Sequence, residues 1–369
     1  MRKITGLFIL IISVVLLVSA MNRPFINKLY FDKYFSHIYS QTPKETNWYK
    51  AFFSYSDKWR YGDLYGMSNL PQYKFELELF KHYNPKPGRQ TTNRVLYIIG
   101  DSFLADKVLY GAFDAFDNVI FLDRRFGFGP IKLDSTKKNY LIMEFAERNL
   151  NSYDIGKTDE TRWTTADIKN GLNFSNVPRV GNQQPAASVF ERIGNIIFNK
   201  DLSRNLELIL FDNKLATPFK ETKASLNYKL FNRVAKEVAV STDKKRLLFN
   251  ITVDTVSLQS AFRPKTKPAL DSIVNNLDIA RNYYLTIGFK KVFLSVIPNP
   301  ASIYDVKRMP YNHLLERVEQ KTDLPIIPLY NIFKSDKRNL FYWSDSHWNP
   351  LGLDIWVSET NKVLTSNLN

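Results

Sequence analysis

The longest uninterrupted apolar run lies at the start of the chain. Residues 4 to 22 carry no charge, and Arg2 and Lys3 stand directly before them. A helix of this length reaches the short end of a membrane span, and positive residues in front of it favour a cytoplasmic N-terminus. Residues 1 to 22 are therefore predicted to be either an uncleaved signal anchor or a signal peptide cut after Val18-Ser19-Ala20, which fits the small-x-small rule. Both alternatives place the rest of the chain outside the cytoplasm.

Short apolar runs from residue 94 onward predict an α/β domain. The runs are rich in β-branched and aromatic residues, and they alternate with turn residues and with segments of helical spacing. This alternation is typical of a doubly wound parallel sheet. The predicted strands are Arg94–Ile99, Asn118–Leu122, Tyr140–Phe145, Leu206–Phe211, Leu247–Val253, Lys291–Ile297 and Ile326–Leu329. The predicted helices are Ala105–Phe116, Lys223–Val238, Pro268–Ile287, Tyr311–Gln320 and Gly352–Leu364.

The same pattern divides the chain into segments. Residues 23 to 93 form an aromatic and polar extension without a long period, and the α/β domain is predicted to cover residues 94 to 365. The alternation is lost between residues 150 and 245, so we predict an insertion that adds no central strand to the sheet. Within the extension, the cluster from Trp59 to Gly66 is either a surface that stacks carbohydrate or a segment that packs on the domain behind it.

Composition excludes whole classes of site. The chain has no cysteine, which rules out a disulfide framework, a cysteine-based zinc site, a cysteine nucleophile and a lipoprotein anchor. Its four histidines show no metal-ligand spacing to one another, so no histidine-based metal site and no cofactor are predicted. The histidines are His37, His82, His313 and His347.

The charge is strongly positive. The formal net charge of +15 favours polyanionic partners such as acidic glycans or anionic lipid headgroups, and a lysine-rich solvated surface is the simpler alternative. There is no nucleic-acid-binding motif and no block of five or six basic residues, so we predict no nucleic-acid partner.

Candidate chemistry lies at the two ends of the α/β domain. Ser102 follows the first predicted strand through Gly100-Asp101, which places it at the carboxyl edge of a parallel sheet. A serine hydroxyl needs a base within hydrogen-bond reach and a group that orients the base. His347 and Asp345 offer that pair in a polar turn before the last predicted helix. We predict that Ser102 is a nucleophile, that His347 is its base and that Asp345 orients His347.

These motifs resemble a known superfamily. Gly100-Asp101-Ser102 after the first strand, with Asp345-x-His347 near the C-terminus, is similar to the SGNH (GDSL-like) hydrolases, and the resemblance covers roughly residues 94 to 365. The Asp-x-His-Trp-Asn form resembles the branch that holds the alginate O-acetyltransferases and related cell-envelope acyltransferases. In alginate O-acetyltransferases the Asp-His block precedes the serine block. Here it follows, as in ordinary SGNH esterases and in the membrane-anchored D-alanyl-transfer proteins.

The resemblance implies a flavodoxin-like three-layer fold and an oxyanion hole. In that family the nucleophile's own amide, a glycine amide after strand two and an asparagine side chain after strand three donate to the oxyanion, while Asp101 is structural. Arg148 is the rival of the asparagine, because Glu147-Arg148 resembles a pair in the acetyltransferase branch; an ion pair with Glu147 or Glu144 is the simpler role. The resulting candidates are Gly127, Gly129, Arg148 and Asn149, and Trp348 either stacks a sugar or packs in the core.

The function implied is that of a membrane-anchored extracytoplasmic serine O-acyltransferase or O-acyl esterase. It would act on a cell-envelope polysaccharide through an acyl-enzyme intermediate, and transfer and hydrolysis stay open. Its partners would be an acyl donor, either a small molecule or a protein, a glycan acceptor and a membrane acyl-export protein. The alternatives are a lipase or lysophospholipase-type esterase with an apolar acyl pocket, and a non-catalytic glycan-binding scaffold of the same fold.

Overall fold

The computed structural model describes residues 2–34, 60–85, 91–105, 107–125, 128, 131–158, 160 and 201–368. In chain order the elements are α1 (Arg2–Met21), α2 (Arg23–Tyr34), α3 (Asp63–Ser68), β1 (Arg94–Gly100), β2 (Asn118–Asp123), β3 (Lys138–Ala146), α4 (Leu202–Leu210), α5 (Thr217–Phe231), β4 (Val238–Val240), β5 (Leu247–Phe249), α6 (Asn250–Val253), α7 (Lys267–Thr286), β6 (Lys291–Ile297), α8 (Pro300–Tyr304), α9 (Leu314–Glu319), β7 (Ile326–Ile327), α10 (Leu329–Ser335) and α11 (Pro350–Ser366). Short 3₁₀ helices cover Pro71–Tyr73 and Glu147–Ser152.

These elements form two compact units. The first unit comprises Met1–Arg60, Asn69–Pro71 and Ser175–Arg233, and the second comprises Tyr61–Ser68, Gln72–Phe174 and Val234–Asn369. All of the candidate catalytic side chains belong to the second unit.

A five-stranded parallel sheet forms the centre of the second unit. Its strand order is β2-β1-β3-β6-β7, and every neighbouring pair is parallel. The interior strand β1 is buried along nearly its whole length, as its continuous run of aliphatic and aromatic residues requires. The predicted α/β class and parallel sheet are confirmed, and all carboxyl ends of these strands meet at one edge of the sheet.

The middle of the chain differs from the predicted elements. The predicted strand Leu206–Phe211 is wrong, because residues 206 to 210 belong to α4 and Phe211 is its C-cap. Burial there recurs at three- to four-residue spacing, as in residues 205 and 208. The predicted strand Leu247–Val253 shortens to β5, which pairs antiparallel with β4, and continues as α6. Among the described residues between 150 and 245, none joins the five-stranded sheet.

The predicted helix Ala105–Phe116 is also wrong. The described residues of this stretch form turns, which hydrogen bonds to the preceding extension hold in place. The amide of Gly111 donates to the Tyr83 carbonyl at 2.6 Å, and the amide of Tyr83 donates to the Val108 carbonyl at 2.9 Å. A Cβ atom at Gly111 would lie 2.1 Å from the backbone of Asn84, so this close approach requires glycine. Tertiary hydrogen bonds therefore replace the helical ones.

The first unit contains the apolar N-terminal helix. The stretch Lys3–Met21 of α1 is long and apolar enough to cross a membrane. Near its C-terminal end, Ala20 is fully buried and its carbonyl accepts a hydrogen bond from Asn205 Nδ2 of α4 at 2.8 Å. Lys33 of α2 is buried as well, and its Nζ donates to the Leu208 carbonyl at 2.7 Å. A lysine at this end of α4 complements the helix dipole.

Candidate active site

The turn after β1 positions Ser102. The Asp101 amide donates to Glu144 Oε2 at 2.8 Å, and Asp101 Oδ1 accepts the Phe103 amide at 3.0 Å. The turn is tight because Gly100 lies against the same carboxyl group, and a Cβ atom there would be 2.4 Å from Glu144 Oε2. The side chain of Asp101 is thus used to shape the turn, which leaves Ser102 beyond the carboxyl end of the strand.

Glu144 lies next to the turn that carries Ser102. Its side chain is fully buried in β3, and burial together with the neighbouring charge of Asp101 raises its pKa well above the ordinary value. The raised pKa favours the neutral carboxyl form. A neutral Glu144 lies beside Asp101 without like-charge repulsion.

A second loop carries Asp345 and His347. Phe341 and Trp348 form an antiparallel bridge, and the Tyr342 amide donates to the His347 carbonyl at 3.1 Å. This short ladder closes a loop whose residues 344 to 346 are almost completely buried. Its backbone is therefore held by the surrounding protein and not by solvent.

The residues after His347 anchor that loop to α11. Asn349 caps the helix, because its Oδ1 accepts the Gly352 amide at 3.1 Å, and its Nδ2 donates to the Asn339 carbonyl at 2.7 Å. Pro350 occupies the first turn of the helix, where a missing amide hydrogen costs nothing. A Cβ atom at Gly352 would lie 2.5 Å from the Leu340 carbonyl oxygen, which explains the glycine.

Of the two roles considered for Trp348, its burial shows packing in the core. Its side chain is fully buried, with its ring centroid 5.3 Å from Phe103 and 5.9 Å from Trp356. The ring of Phe103 also lies 4.7 Å from the imidazole of His347. The tryptophan ring is thus enclosed by the core that supports the loops of Ser102 and His347.

Ser102, His347 and Asp345 form one hydrogen-bonded chain. The Ser102 hydroxyl lies 2.8 Å from His347 Nε2, although the two residues are 245 positions apart. On the other side of the ring, His347 Nδ1 lies 2.5 Å from Asp345 Oδ1, which also accepts the His347 amide at 2.8 Å. The Ser102–His347 distance is within the range of about 2.6–3.2 Å that nucleophile activation requires. This geometry suits a tautomer with the proton on Nδ1 and a free lone pair on Nε2.

The charges around His347 favour an ion pair. Burial alone would raise the pKa of Asp345, but the charge of His347 and three hydrogen bonds lower it to about 2. For His347, burial favours the neutral ring, yet the charges of Asp345 and Asp63 outweigh burial and raise its pKa above the usual value. The positive charge of Arg148 acts in the opposite direction and lowers it. An imidazolium ion is thus stabilised at this position.

The oxyanion candidates are only partly placed. Asn149 Nδ2 donates to Asp101 Oδ2 at 3.2 Å, so one of its two hydrogens holds the nucleophile turn. The guanidinium of Arg148 lies 5.6 Å from the ring of Phe103 and 5.2 Å from that of Phe249, and it has no ion pair within the described residues. Gly127 and Gly129 lie outside the described residues.

The simpler role considered for Arg148, an ion pair with Glu147 or Glu144, is not observed among the described residues. The Glu147 carboxylate is buried and accepts hydrogen bonds from the Asn299 amide, the Ser302 hydroxyl and the Tyr311 hydroxyl at 2.7, 2.6 and 2.9 Å. Glu147 therefore ties β3 to the segment after β6. Arg148, the next residue, stays available to a negatively charged group near Ser102.

Asp63 is the residue of this site that the sequence did not single out. Its amide donates to Asp345 Oδ2 at 2.7 Å, and its own carboxylate accepts the Ser346 amide at 2.8 Å and the Ser346 hydroxyl at 2.6 Å. The preceding Gly62 has a φ of 98°, and a Cβ atom there would lie 2.3 Å from the Ser344 carbonyl oxygen. A glycine followed by an acid in a turn-rich segment is the only signal in the sequence, and it names no partner.

The aromatic cluster around Asp63 packs inward. The rings of Tyr61 and Tyr65 meet edge to face at 5.4 Å, and Tyr65 is almost fully buried. The Tyr65 amide donates to the Ser344 carbonyl at 3.0 Å. Of the two predicted roles for this cluster, the described residues show packing on the α/β domain; Trp59 lies outside them.

One group of side chains has metal-ligand spacing within the described residues. The ligand atoms of Asp63, Asp345 and His347 lie within 4.8 Å of one another. Hydrogen bonds already use these atoms: both imidazole nitrogens face Ser102 and Asp345, and the carboxylates accept backbone or hydroxyl hydrogens. Donor hydrogens directed at these oxygens would repel a cation, so the group fits hydrogen bonding better than metal binding.

The arrangement is chemically suited to nucleophilic catalysis by a serine. A hydroxyl is hydrogen-bonded to an imidazole whose other nitrogen is held by a buried carboxylate, which is the combination that activates a weak nucleophile. Within the described residues the Ser102 amide makes no hydrogen bond, so it is available to a developing oxyanion. Comparisons of the chain with protein-family models, with curated proteins and with solved structures found no match.

Proposed function

We propose that this protein is a membrane-anchored extracytoplasmic serine O-acyltransferase or O-acyl esterase that acts on a cell-envelope polysaccharide. One observation carries the proposal: the continuous hydrogen-bonded chain from Ser102 through His347 to Asp345 at the carboxyl end of β1. The Ser102 motif and the Asp345-x-His347 motif, which are distant in sequence, meet there. The 2.8 Å between Ser102 Oγ and His347 Nε2 is a distance at which the histidine can take the hydroxyl proton.

The strand order supports the proposed SGNH-like fold. Numbered within the sheet alone, the order β2-β1-β3-β6-β7 is 2-1-3-4-5, which is the order of flavodoxin-like doubly wound sheets. Such sheets bind ligands at the carboxyl edge where the order reverses, between the first and third strands. Ser102 follows the first of these strands, and Arg148 and Asn149 follow the other.

The proposed reaction has two halves. Ser102 Oγ attacks the acyl carbonyl carbon while His347 Nε2 takes the hydroxyl proton, and the tetrahedral intermediate then expels the leaving group of the donor, which receives that proton. A sugar hydroxyl or a water molecule next attacks the acyl-serine ester and gives its own proton to Nε2. The ester bond to Ser102 breaks, and the hydroxyl is restored. Transfer and hydrolysis differ only in which molecule attacks second.

The surroundings of Ser102 favour a negatively charged or polar acceptor. Arg148 holds a positive charge that acts on His347, and it has no carboxylate partner within the described residues. The net charge of +15 would attract an acidic glycan to the protein surface.

A serine-reactive fluorophosphonate tests whether Ser102 is activated. The full-length protein in detergent is expected to be labelled once, and the labelling is expected to disappear in Ser102→Ala and to slow strongly in His347→Ala. Ser335→Ala is a matched control, because Ser335 is an exposed serine on α10 whose hydroxyl bonds only its own helix. Labelling that persists in Ser102→Ala would contradict the proposal.

A second experiment identifies the acceptor. Full-length protein is given an activated acetyl ester with and without an acidic oligosaccharide, and the acetyl group is followed into sugar or into free acetate. Appearance of acetylated sugar indicates transfer, whereas release to water alone indicates an esterase. Turnover of long-chain esters in strong preference to acetyl esters would favour the lipase alternative instead.

A further inference from the structure

Asp63 clamps the loop that presents His347. It belongs to α3, far from the loop in sequence, yet it contacts the loop through three hydrogen bonds: one to Asp345 Oδ2 from its backbone and two from Ser346 to its carboxylate. Both carboxylates are buried. The ligand atoms of Asp63, Asp345 and His347 lie within 4.8 Å of one another, so two acidic groups share the neighbourhood of one imidazole.

We propose that Asp63 is a positioning residue of the acyl-transfer centre, which fixes Asp345 and Ser346 and supplies a second negative charge to the His347 ring. This proposal rests on the proposed function and names a group that works through His347. Its backbone amide occupies the oxygen of Asp345 that His347 does not use. Its carboxylate stabilises the imidazolium that forms when Ser102 loses its proton.

Within the described residues, the charged groups that act on this pair belong to the site itself. His347 is affected by Asp345, Asp63 and Arg148, and Asp63 is affected by Asp345 and His347. Burial and the charge of Asp345 raise the pKa of Asp63 to about 6, while His347 and Ser346 oppose the rise. Asp63 is therefore ionised above this pH, where the neutral form of His347 is needed as a base.

Asp63→Asn separates charge from geometry. Asparagine is nearly the same size; its carbonyl oxygen can accept the Ser346 amide, and its NH₂ group can donate to the Ser346 hydroxyl. The backbone bond to Asp345 is retained in any variant. Only the negative charge is lost. If the role of Asp63 were purely structural, Asp63→Asn would therefore change the pKa of His347 little.

Asp305→Asn is the matched control. Asp305 is also buried, and its Oδ1 accepts both the amide and the hydroxyl of one residue, Thr242, at 2.8 and 2.6 Å. Ser346 likewise donates its amide and its hydroxyl to the carboxylate of Asp63, one to each oxygen. Its ion pair is with Arg308, and it is not among the groups that shift the pKa of His347. Both variants remove one buried carboxylate, but only one removes it beside the imidazole.

The first measurement is an NMR titration of full-length protein labelled with ¹⁵N-histidine. The chain has only four histidines, and His347→Gln assigns the signal of interest. Loss of an opposite charge about 4–6 Å away is expected to move the titration of His347 to lower pH by on the order of one unit in Asp63→Asn. Asp305→Asn is expected to leave the titration where it is in the wild type.

The second measurement is the pH dependence of kcat/KM for an activated acetyl ester. In Asp63→Asn the acid limb is expected to move to lower pH together with the His347 titration. On the plateau, kcat is expected to fall about tenfold. A decrease of one unit in the pKa of His347 means that the imidazolium ion is about tenfold less stable relative to the neutral ring. KM is expected to change little, since the hydrogen bonds of Asp63 are to Asp345 and Ser346 and not to Ser102.

The outcomes separate this proposal from the proposed function. A shifted His347 titration without any reaction at Ser102 supports the role of Asp63 but defeats the acyltransferase. Normal labelling of Ser102 together with a His347 titration that moves no more in Asp63→Asn than in Asp305→Asn overturns the role of Asp63. Should Asp63→Asn fail to fold, Ser346→Ala replaces it. Loss of the Ser346 hydroxyl donor is expected to raise the pKa of Asp63 and to move the titration of His347 to lower pH by less than Asp63→Asn would. A His347 titration that does not move in Ser346→Ala would overturn the proposal.

Discussion

Ser102 and His347 share one hydrogen bond, and Asp345 holds the far side of the same ring, so these three residues are expected to act as a unit. Ser102→Ala alone should remove nearly all acyl transfer, and adding His347→Ala should cost little more. Asp345→Asn should fold but lower kcat by about 10⁴, because it favours the wrong histidine tautomer. Steady-state kinetics of the single and double variants check this. A double variant whose rate loss equals the product of the two single losses would contradict a shared role.

Arg148 is expected to shift the acid limb of the pH–rate profile in the direction opposite to Asp63. Its positive charge lowers the pKa of His347, so Arg148→Gln should raise that pKa and move the rise of kcat/KM to higher pH. The sign follows because only neutral His347 accepts the proton of Ser102. A pH–rate profile of Arg148→Gln beside Arg148→Lys, which keeps the charge, measures the shift. An unmoved limb in Arg148→Gln would mean that Arg148 does not act on His347.

At the scale of elements, the caps and turns around α11 are expected to couple stability to activity. Asn349→Ala removes the cap of α11 and the bond to Asn339, and should lower the free energy of unfolding by about 1 kcal/mol. It should also slow acyl transfer, because Asn349 closes the loop that carries His347. Thr266→Ala is the control, since it removes a similar cap at the start of α7.

Chemical denaturation and ester turnover measured side by side check the two caps. Both variants are expected to lose stability, and only Asn349→Ala is expected to lose turnover in the folded state. Equal turnover in the two folded variants would show that the anchoring of the loop by α11 has no catalytic consequence.

The sequence predicted the elements whose patterns are local. The strands β1, β3 and β6 are continuous apolar runs between turn residues, and their bounds agree with the predictions to within two residues. The run in α4 was misassigned because a short apolar stretch cannot be told from a buried helix by composition. The turns after Ser102 were missed because hydrogen bonds to Tyr83, distant in sequence, decide them.

In the candidate site, too, the sequence predicted the residues that have a local pattern and missed the residue whose role depends on distant contacts. Ser102, Asp345 and His347 could be proposed because each stands next to a recognisable turn or cap signal. Asp63 could not, because its role consists entirely of contacts to Asp345 and Ser346 about 280 positions away, which no local pattern encodes. Trp348 was ambiguous, since an aromatic residue beside a site can serve either packing or substrate, and only its burial decides.

At the scale of the whole molecule, α1 predicts the location of the catalytic unit. Arg2 and Lys3 precede an apolar helix that is able to cross a membrane, which favours an N-terminus in the cytoplasm and residues 24 to 369 beyond the membrane. Alkaline phosphatase fused after Asn369 is expected to be active, and a cytoplasm-dependent fluorescent protein at the same position is expected to be dark. The reverse pattern would contradict the proposed extracytoplasmic function.

The most direct test of the central claim is to find the acyl group on the protein. Full-length protein is mixed with an activated acetyl ester, quenched in acid during the first turnover and digested for peptide mass spectrometry. The account predicts one acetyl group on Ser102 in the wild type, far less in His347→Ala and none in Ser102→Ala. Acetylation of a different residue as the kinetically competent intermediate, or undiminished turnover by Ser102→Ala, would contradict it.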